Sequence, residues 1–356
     1  MQIVVYDTIS MLRPLFELRV HPKELFERAQ KPLYGPDGLL NLISAAMKEK
    51  AGGGYDVMVS AARDGYAVMM AQQMWGLFNP RRKQEASHWA FAQMIEADII
   101  NAARAWIGRF DQFSGSSGLS RMECFILPAD PANRSVMISS YGLSGFGGAP
   151  GYVLIQIWPS RGNLARLGAA LARLFTHNVR WSLARRIKSA TLGDFLALEG
   201  LASGVVAQFC AESEREPWLA SFRKPDDWDA ALDHVARIYG VKSFSEIVTN
   251  VYGISEQIGE ARGAPTARMK PEEIDYARGV INRSLEVSDA RIIAAHLYGD
   301  EIVAAQGHPT VGLPTYAGFE IAHHMVRNYL QQTGASLAEA ASKPTEEILR
   351  ESKFFD

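Results

Sequence analysis

The sequence predicts an α+β fold in which helices and strands occupy separate stretches of the chain. Apolar residues recur at helical spacing from about residue 8 to 112 and again after Pro159. Between these stretches, β-branched and apolar runs are separated by Pro, Asn and Gly turns. The strands and helices do not alternate as they do in βαβ units. We therefore expect mainly α-helices around a small antiparallel or mixed sheet.

The N-terminal part begins with "QIVVYDT", which predicts a short strand at residues 2–8. Two helices are predicted after it, at 37–54 and at 85–110, and the second is long and amphipathic. The sequence "FSGSSG" at 113–118 is typical of a flexible junction. It divides a mainly helical region, 1–112, from a second domain, 119–356, unless it is only a loop within one compact unit.

The strand-rich stretch contains three candidate runs, "MECFILP", "SVMISSYGLSGFGG" and "GYVLIQIWP", from which we expect two or three strands. The glycine-rich run precedes a strand and not a helix, so it predicts a tight turn instead of a phosphate-binding loop. Further on, "PDDWDAALDHVARIYG" predicts a helix that ends at Gly240. The sequence "SLAE" at 336–339 matches a capping box.

The composition excludes several classes of protein. The formal net charge of the 356 residues is −2, and the short basic run "RRK" at 81–83 is typical of a solvated surface, so we expect no nucleic-acid partner. The two cysteines, Cys124 and Cys210, form no CxxC motif and favour a reducing compartment. The sequence has neither the pattern of a signal peptide nor an uninterrupted apolar span of about 20 residues. We expect a cytoplasmic protein without a membrane partner.

The stretch "LARLFTHNVRW" at 171–181 raises the question of a metal site. In the H-E-x-x-H motif, two histidines on one helical face bind zinc and the glutamate activates a zinc-bound water. Here only the second histidine, His177, is present. Downstream, Glu199 begins an E-x-x-A motif of the kind that supplies a third zinc ligand. The strand at 151–158 precedes both and stands where zinc peptidases keep an edge strand that pairs with the substrate backbone, so we expect Tyr152, Leu154 and Gln156 to contact the ligand.

These segments together resemble a known family. Three runs carry the resemblance, in this order: "YGLSGFGGAPGYVLIQIWPS", "ALARLFTHNVRW" and "TLGDFLALEGLA". Together they are similar to the bacterial family of predicted zinc-dependent proteases, a gluzincin-like group. The resemblance continues through "YGDE", "GLPTYAGFEIAHHMVRNYL" and "EEILRESKFF", covering about residues 135–356. It implies a zincin-like domain, with a zinc-binding H-E-x-x-H helix followed by an E-G-L-A-E motif.

The sequence departs from this pattern at its centre. Arg173 occupies the position of the first histidine, Leu174 that of the general base, and Ser203 that of the second glutamate of E-G-L-A-E. Only His177 and Glu199 remain as metal ligands, so we expect no cofactor. A buried carboxylate needs a partner. We therefore predict that Arg173 takes the place of the zinc charge by pairing with Glu199, in a bidentate manner where the geometry allows it.

Three functions fit these residues. The first is a degenerate member of the family that binds a peptide or small molecule in the former active-site cleft. The second is an enzyme with altered, metal-free hydrolase or lyase chemistry, in which His177 and Glu199 act as acid and base and Arg173 binds an anion. The third is a zinc hydrolase that recruits His324 as a ligand. The residues expected to bind the ligand are Tyr152, Leu154, Gln156, Leu174, Ser203, Tyr316 and His324.

Overall fold

The computed structural model describes residues 2–16, 32, 37–39, 41–43, 84–110, 119–133, 135–183, 190–210, 224–247, 269–305 and 307–356. Most of the helix predicted at 37–54 and the whole junction at 113–118 lie outside these ranges. The described helices, numbered in chain order, are α1 Thr8–Phe16, α2 Gln84–Glu96, α3 Ile99–Arg109, α4 Arg161–Leu183, α5 Leu192–Phe209, α6 Trp228–Tyr239, α7 Pro271–Asn282, α8 Ala290–Tyr298, α9 Asp300–Ala305, α10 Ala317–Thr333, α11 Leu337–Ala341 and α12 Thr345–Ser352.

The chain divides into two compact units that are interleaved in sequence. The first unit comprises 1–108, 120–168 and 224–260, and the second comprises 109–119, 169–223 and 261–356. Each unit therefore takes three separate stretches of the chain. The strand at the N-terminus belongs to the same unit as the sheet that follows residue 119, which no linear reading of composition can reveal.

The first unit contains a mixed sheet of four described strands, β1 Gln2–Val5, β2 Arg121–Pro128, β3 Leu143–Phe146 and β4 Tyr152–Ile157. Their order is β1-β2-β4-β3. β1 pairs in parallel with β2, β2 in parallel with β4, and β3 antiparallel with β4. The predicted α+β class and the small mixed sheet are thus confirmed. The run at 135–139 forms a π-helical turn, so only the later part of that candidate strand is extended.

Two of the helix predictions can be compared with the structure in detail. The predicted long helix at 85–110 is two helices, α2 and α3, because Asp98 between them adopts a left-handed conformation with φ of 45°. The helix that ends at Gly240 is confirmed as α6, with that glycine in the left-handed conformation at φ of 69°. The capping box at Ser336 and Glu339 is also confirmed, at the start of α11.

Helix α5 is the core of the second unit. A capping box between Thr191 and Asp194 fixes its first turn. Its composition would allow it to cross a membrane, but 67% of it is buried inside the protein, which is typical of a core helix. It packs closely on α10 at Gly200, where an added Cβ would lie 2.2 Å from the carbonyl oxygen of Ala322. This close approach brings the side chains next to Gly200 within reach of α10.

The end of α4 is fixed to the C-terminal segment by the buried side chain of Arg180. Its guanidinium donates to the carbonyls of Ala341 and Lys343 and, at 2.9 Å, to the hydroxyl of Thr345. The Thr345 hydroxyl in turn donates to Asp194 at 2.5 Å, which connects the same network to α5. Burial lowers the pKa of Arg180, and the charge of Asp194 opposes this effect.

We expect the Arg180→Ala variant to lose about 3 kcal/mol of unfolding free energy, because several buried acceptors lose a charged donor at once. Arg180→Lys keeps the positive charge but not the several planar N–H donors of the guanidinium group, so it should recover only part of that loss. Chemical denaturation measures both, with the exposed Arg350→Ala as a control that stays within about 0.5 kcal/mol of wild type. Equal stability of Arg180→Ala and the control would contradict the role of this network.

Candidate functional site

The predicted ion pair between Arg173 and Glu199 is present in the second unit. Nη2 of Arg173 on α4 donates to Oε1 of Glu199 on α5 at 2.8 Å. The other carboxylate oxygen, Oε2, lies 3.4 Å from Nε2 of His177. The two oxygens of Glu199 therefore contact two different side chains of α4, so the described contact with Arg173 joins a single nitrogen to a single oxygen. Helical spacing explains the arrangement, since residues 173 and 177 are one turn apart on one face.

Glu199 is a buried carboxylate with a strongly lowered pKa. Its burial raises the pKa, but the charge of Arg173 and the interactions with His177 outweigh this effect and hold the pKa at about 2. Glu199 is thus ionised throughout the physiological pH range. The side chains of Arg173 and His177 keep 14% and 13% exposure, against 8% for the carboxylate that they cover. Both side chains that contact the carboxylate are thus somewhat more exposed than Glu199 itself.

The lowered pKa of Glu199 predicts a loss of stability in acid. The pKa in the folded protein is about 2 and the ordinary value is 4.5, so the group stabilises the fold above 4.5 and ceases to do so as the pH falls towards 2. We expect the stability advantage of wild type over Glu199→Gln to shrink by about 2 kcal/mol between pH 6 and pH 3. Denaturant unfolding at pH 6, 4 and 3 checks this, and parallel profiles for the two proteins would contradict it.

Aromatic side chains line the arginine. The guanidinium carbon of Arg173 lies 5.0 Å from the ring centroid of Phe319 on α10, within the range of a cation–π contact. Tyr298 and Tyr316 pack edge-to-face with the same phenylalanine. Burial raises the pKa of Tyr298, and the nearby charges of Arg173 and Glu199 act on it in opposite directions. Tyr316, predicted to bind ligand, is buried in this aromatic cluster with φ of 61° at the start of α10.

A second polar contact lies one helical turn after Glu199. The Ser203 hydroxyl oxygen is 2.8 Å from Nδ1 of His323 on α10. The histidine predicted to line the site was the neighbouring His324, which instead lies 3.7 Å from Oε1 of Glu320 and stacks with Phe354. Consecutive helical residues point about 100° apart, so only one of two adjacent histidines can face α5. Sequence reasoning missed His323, and no spacing in the sequence distinguishes it from His324.

The predicted role of β4 in peptide binding is wrong. β4 lies between β2 and β3 and pairs with both, so it offers no free edge to a peptide backbone. Tyr152, Leu154 and Gln156 are all buried, at no more than 2% exposure. The ends of the described sheet are β1 and β3. The backbone pairing predicted for these three residues is therefore excluded in this fold.

Leu174, at the position where the resemblance places the general base, is buried and apolar. It offers no group that could accept a proton. Among the residues that the structure describes, no group of three or more His, Cys, Asp or Glu side chains could hold a metal ion. The set of His177, Glu199 and His324 that would make a rearranged zinc site is thus not assembled in these ranges.

Comparison with known proteins places this chain in a family. The profile of the family described as "Predicted Zn-dependent protease (DUF2268)" matches residues 110–263 and 249–350. The chain is also 23% identical over 362 residues to "Uncharacterized protein YjfC" of Bacillus subtilis (strain 168), an alignment that covers 100% of this chain and 99% of the relative. No solved structure matches. The family match covers more than half of the sequence and includes Arg173, His177 and Glu199, so the chain belongs to the family of predicted zinc-dependent proteases.

Proposed function

We propose that this protein is a degenerate, zincin-like member of its family that works without zinc and binds a peptide or small molecule at the former metal site. The observation that carries the proposal is the division of the two Glu199 oxygens between Arg173 and His177. A guanidinium supplies the positive charge that a buried carboxylate needs. The family name supports a peptide as the ligand, and the partial exposure of Arg173 and His177 supports access to it.

The donor set of this chain does not fit the zinc that the family name implies. Zinc in a catalytic site takes three protein ligands and keeps a fourth position for water or substrate. Here a permanently charged arginine stands where a neutral imidazole would bind, and its Nη2 is bonded to Glu199. His177 and Glu199 alone make a weak site. No catalytic step in this proposal therefore depends on a metal, and the absence of a resident zinc is part of the proposal.

The same geometry favours binding over acid–base catalysis by Glu199. A general base works best when its pKa lies near the working pH. A carboxylate with a pKa of about 2 is a weak base at pH 7. The alternative, metal-free hydrolase or lyase chemistry, would depend on His177, whose Nε2 is 3.4 Å from Glu199. In that alternative, Arg173 would bind an anionic group of the substrate.

The remaining features support a cytoplasmic protein without nucleic-acid partners. The balanced charge and the scarcity of cysteine are consistent with this placement. So is the burial of α5, the one apolar helix among the described residues that is long enough to span a membrane. We propose a cytoplasmic location on these grounds alone.

A peptide screen tests the proposed function. A mixture of acetylated, amidated tripeptides is equilibrated with the protein, and bound and cleaved species are identified by mass spectrometry. We expect retained, uncleaved peptides, with binding lost in His177→Ala and Glu199→Gln but kept in the surface control Glu351→Gln. Cleavage that either site variant abolishes would replace the binding function with the enzymatic alternative. Retention that neither variant weakens would place the ligand elsewhere.

A further inference from the structure

The contact between Ser203 and His323 is a candidate site that the Arg173–Glu199 pair does not use. The two atoms, Oγ and Nδ1, are 2.8 Å apart, which is the distance expected between a nucleophilic hydroxyl and its general base. A serine within a helix commonly bonds the carbonyl four residues earlier. Among the described contacts of Ser203, the hydroxyl bonds instead to an imidazole on another helix.

From this geometry we propose that Ser203 and His323 form a nucleophile–base pair that accepts small acyl groups from activated esters. In the reactive form, the Ser203 hydroxyl donates its hydrogen bond to Nδ1 of a neutral His323, whose proton is on Nε2. The contact lies inside the second unit, where α5 packs closely on α10, so both groups are on packed helices and not on loops. This proposal adds covalent chemistry to the site and does not rest on ligand binding by Arg173 or His177.

The reaction balances with water as the co-reactant. Oγ of Ser203 attacks the ester carbonyl carbon as its proton passes to Nδ1 of His323, and the leaving alcohol takes that proton as the C–O bond breaks. Water then attacks the acyl-serine, His323 takes a proton from the water, and Oγ regains it as the new carboxylic acid leaves.

Burial sets the size of the acyl group. Ser203 is 4% exposed, so a short acyl chain reaches its oxygen far more easily than a long one. The proposal therefore assigns acetyl-sized groups as the substrate class. It also predicts that bulky reagents modify exposed serines in preference to Ser203.

Acetylation of the full-length protein by p-nitrophenyl acetate tests the proposal. We expect a burst of p-nitrophenol, one acetyl group located on Ser203 by peptide mass spectrometry, and a rate at least about tenfold higher than with the octanoyl ester. Ser203→Ala should abolish the labelling, and His323→Gln should slow it by about 100-fold or more. The exposed Ser342→Ala should label like wild type.

Two outcomes would overturn the proposal. The first is acetylation that maps to other residues and persists in Ser203→Ala, and the second is an equal rate with the long-chain ester. If Ser203→Ala does not fold, Ser203→Cys replaces it, because the thiol keeps a nucleophile of similar size. If the Ser203→Cys variant is not acetylated at residue 203, the proposed nucleophile is wrong. Peptide binding is measured separately, so a wild-type protein that binds peptide but is not acetylated on Ser203 removes this proposal and leaves the proposed function standing.

Discussion

Replacement of Arg173 by Met lowers the free energy of unfolding by about 3–5 kcal/mol, because it leaves the Glu199 carboxylate buried without its cation. The measurement is urea unfolding at pH 7, where Glu199 is fully ionised. Arg291→Met is the matched control, since that arginine is 66% exposed in a surface ion pair and its loss should cost less than about 1 kcal/mol.

A double-mutant cycle separates the ion pair from the packing of the arginine stem. Glu199→Gln removes the charge that Arg173 neutralises, and the double variant Arg173→Met with Glu199→Gln should be more stable than the sum of the two single losses predicts. A coupling energy of about 2 kcal/mol or more supports a buried pair. Strict additivity would contradict it, and the contact of Arg173 with Phe319 would then be the main contribution.

Restoration of the family motif should raise the affinity of the protein for zinc. The double variant Arg173→His with Leu174→Glu provides the first histidine and the base of H-E-x-x-H. His177 and Glu199 are already in place, with Nε2 and Oε2 separated by 3.4 Å. We expect one zinc per chain, with an affinity at least about 100-fold above that of wild type. Zinc at 100 times its Kd should then stabilise this variant by about 3 kcal/mol.

The control variants show which side chains bind the zinc. Arg173→Leu with Leu174→Glu removes the same positive charge but adds no imidazole, so it should gain little zinc affinity. His177→Ala added to the restored motif should lose the gain again. A restored motif that binds no more zinc than the leucine control would show that residues 173, 177 and 199 do not converge on one point.

Physical reasoning from sequence was sufficient for the ion pair. A glutamate within a nearly apolar helix needs a partner, and Arg173 and His177 share the helical face that the motif directs towards it. The same reasoning did not predict which face of α10 packs against α5. His323 and His324 are adjacent in the chain, and which of them faces α5 depends on how the two helices pack at Gly200. That packing is a tertiary property which motif spacing does not determine.

The position of β4 could have been inferred more accurately. The run "YVLIQI" is almost continuously apolar, and such runs are typical of strands buried on both faces and not of solvent-facing edges. The edge assignment came instead from the resemblance to peptide-binding enzymes. The interleaving of the two units lay beyond any sequence argument, because it depends on the long-range pairing of β1 with β2.

The zinc content of the wild-type protein tests the central claim most directly. The protein is purified from zinc-supplemented cells, dialysed against zinc at about 1 μM, and analysed by elemental mass spectrometry beside Glu199→Gln and His177→Ala. If Arg173 occupies the place of the metal, wild type should carry no more zinc than either variant. One zinc per wild-type chain, lost in both variants, would contradict the account.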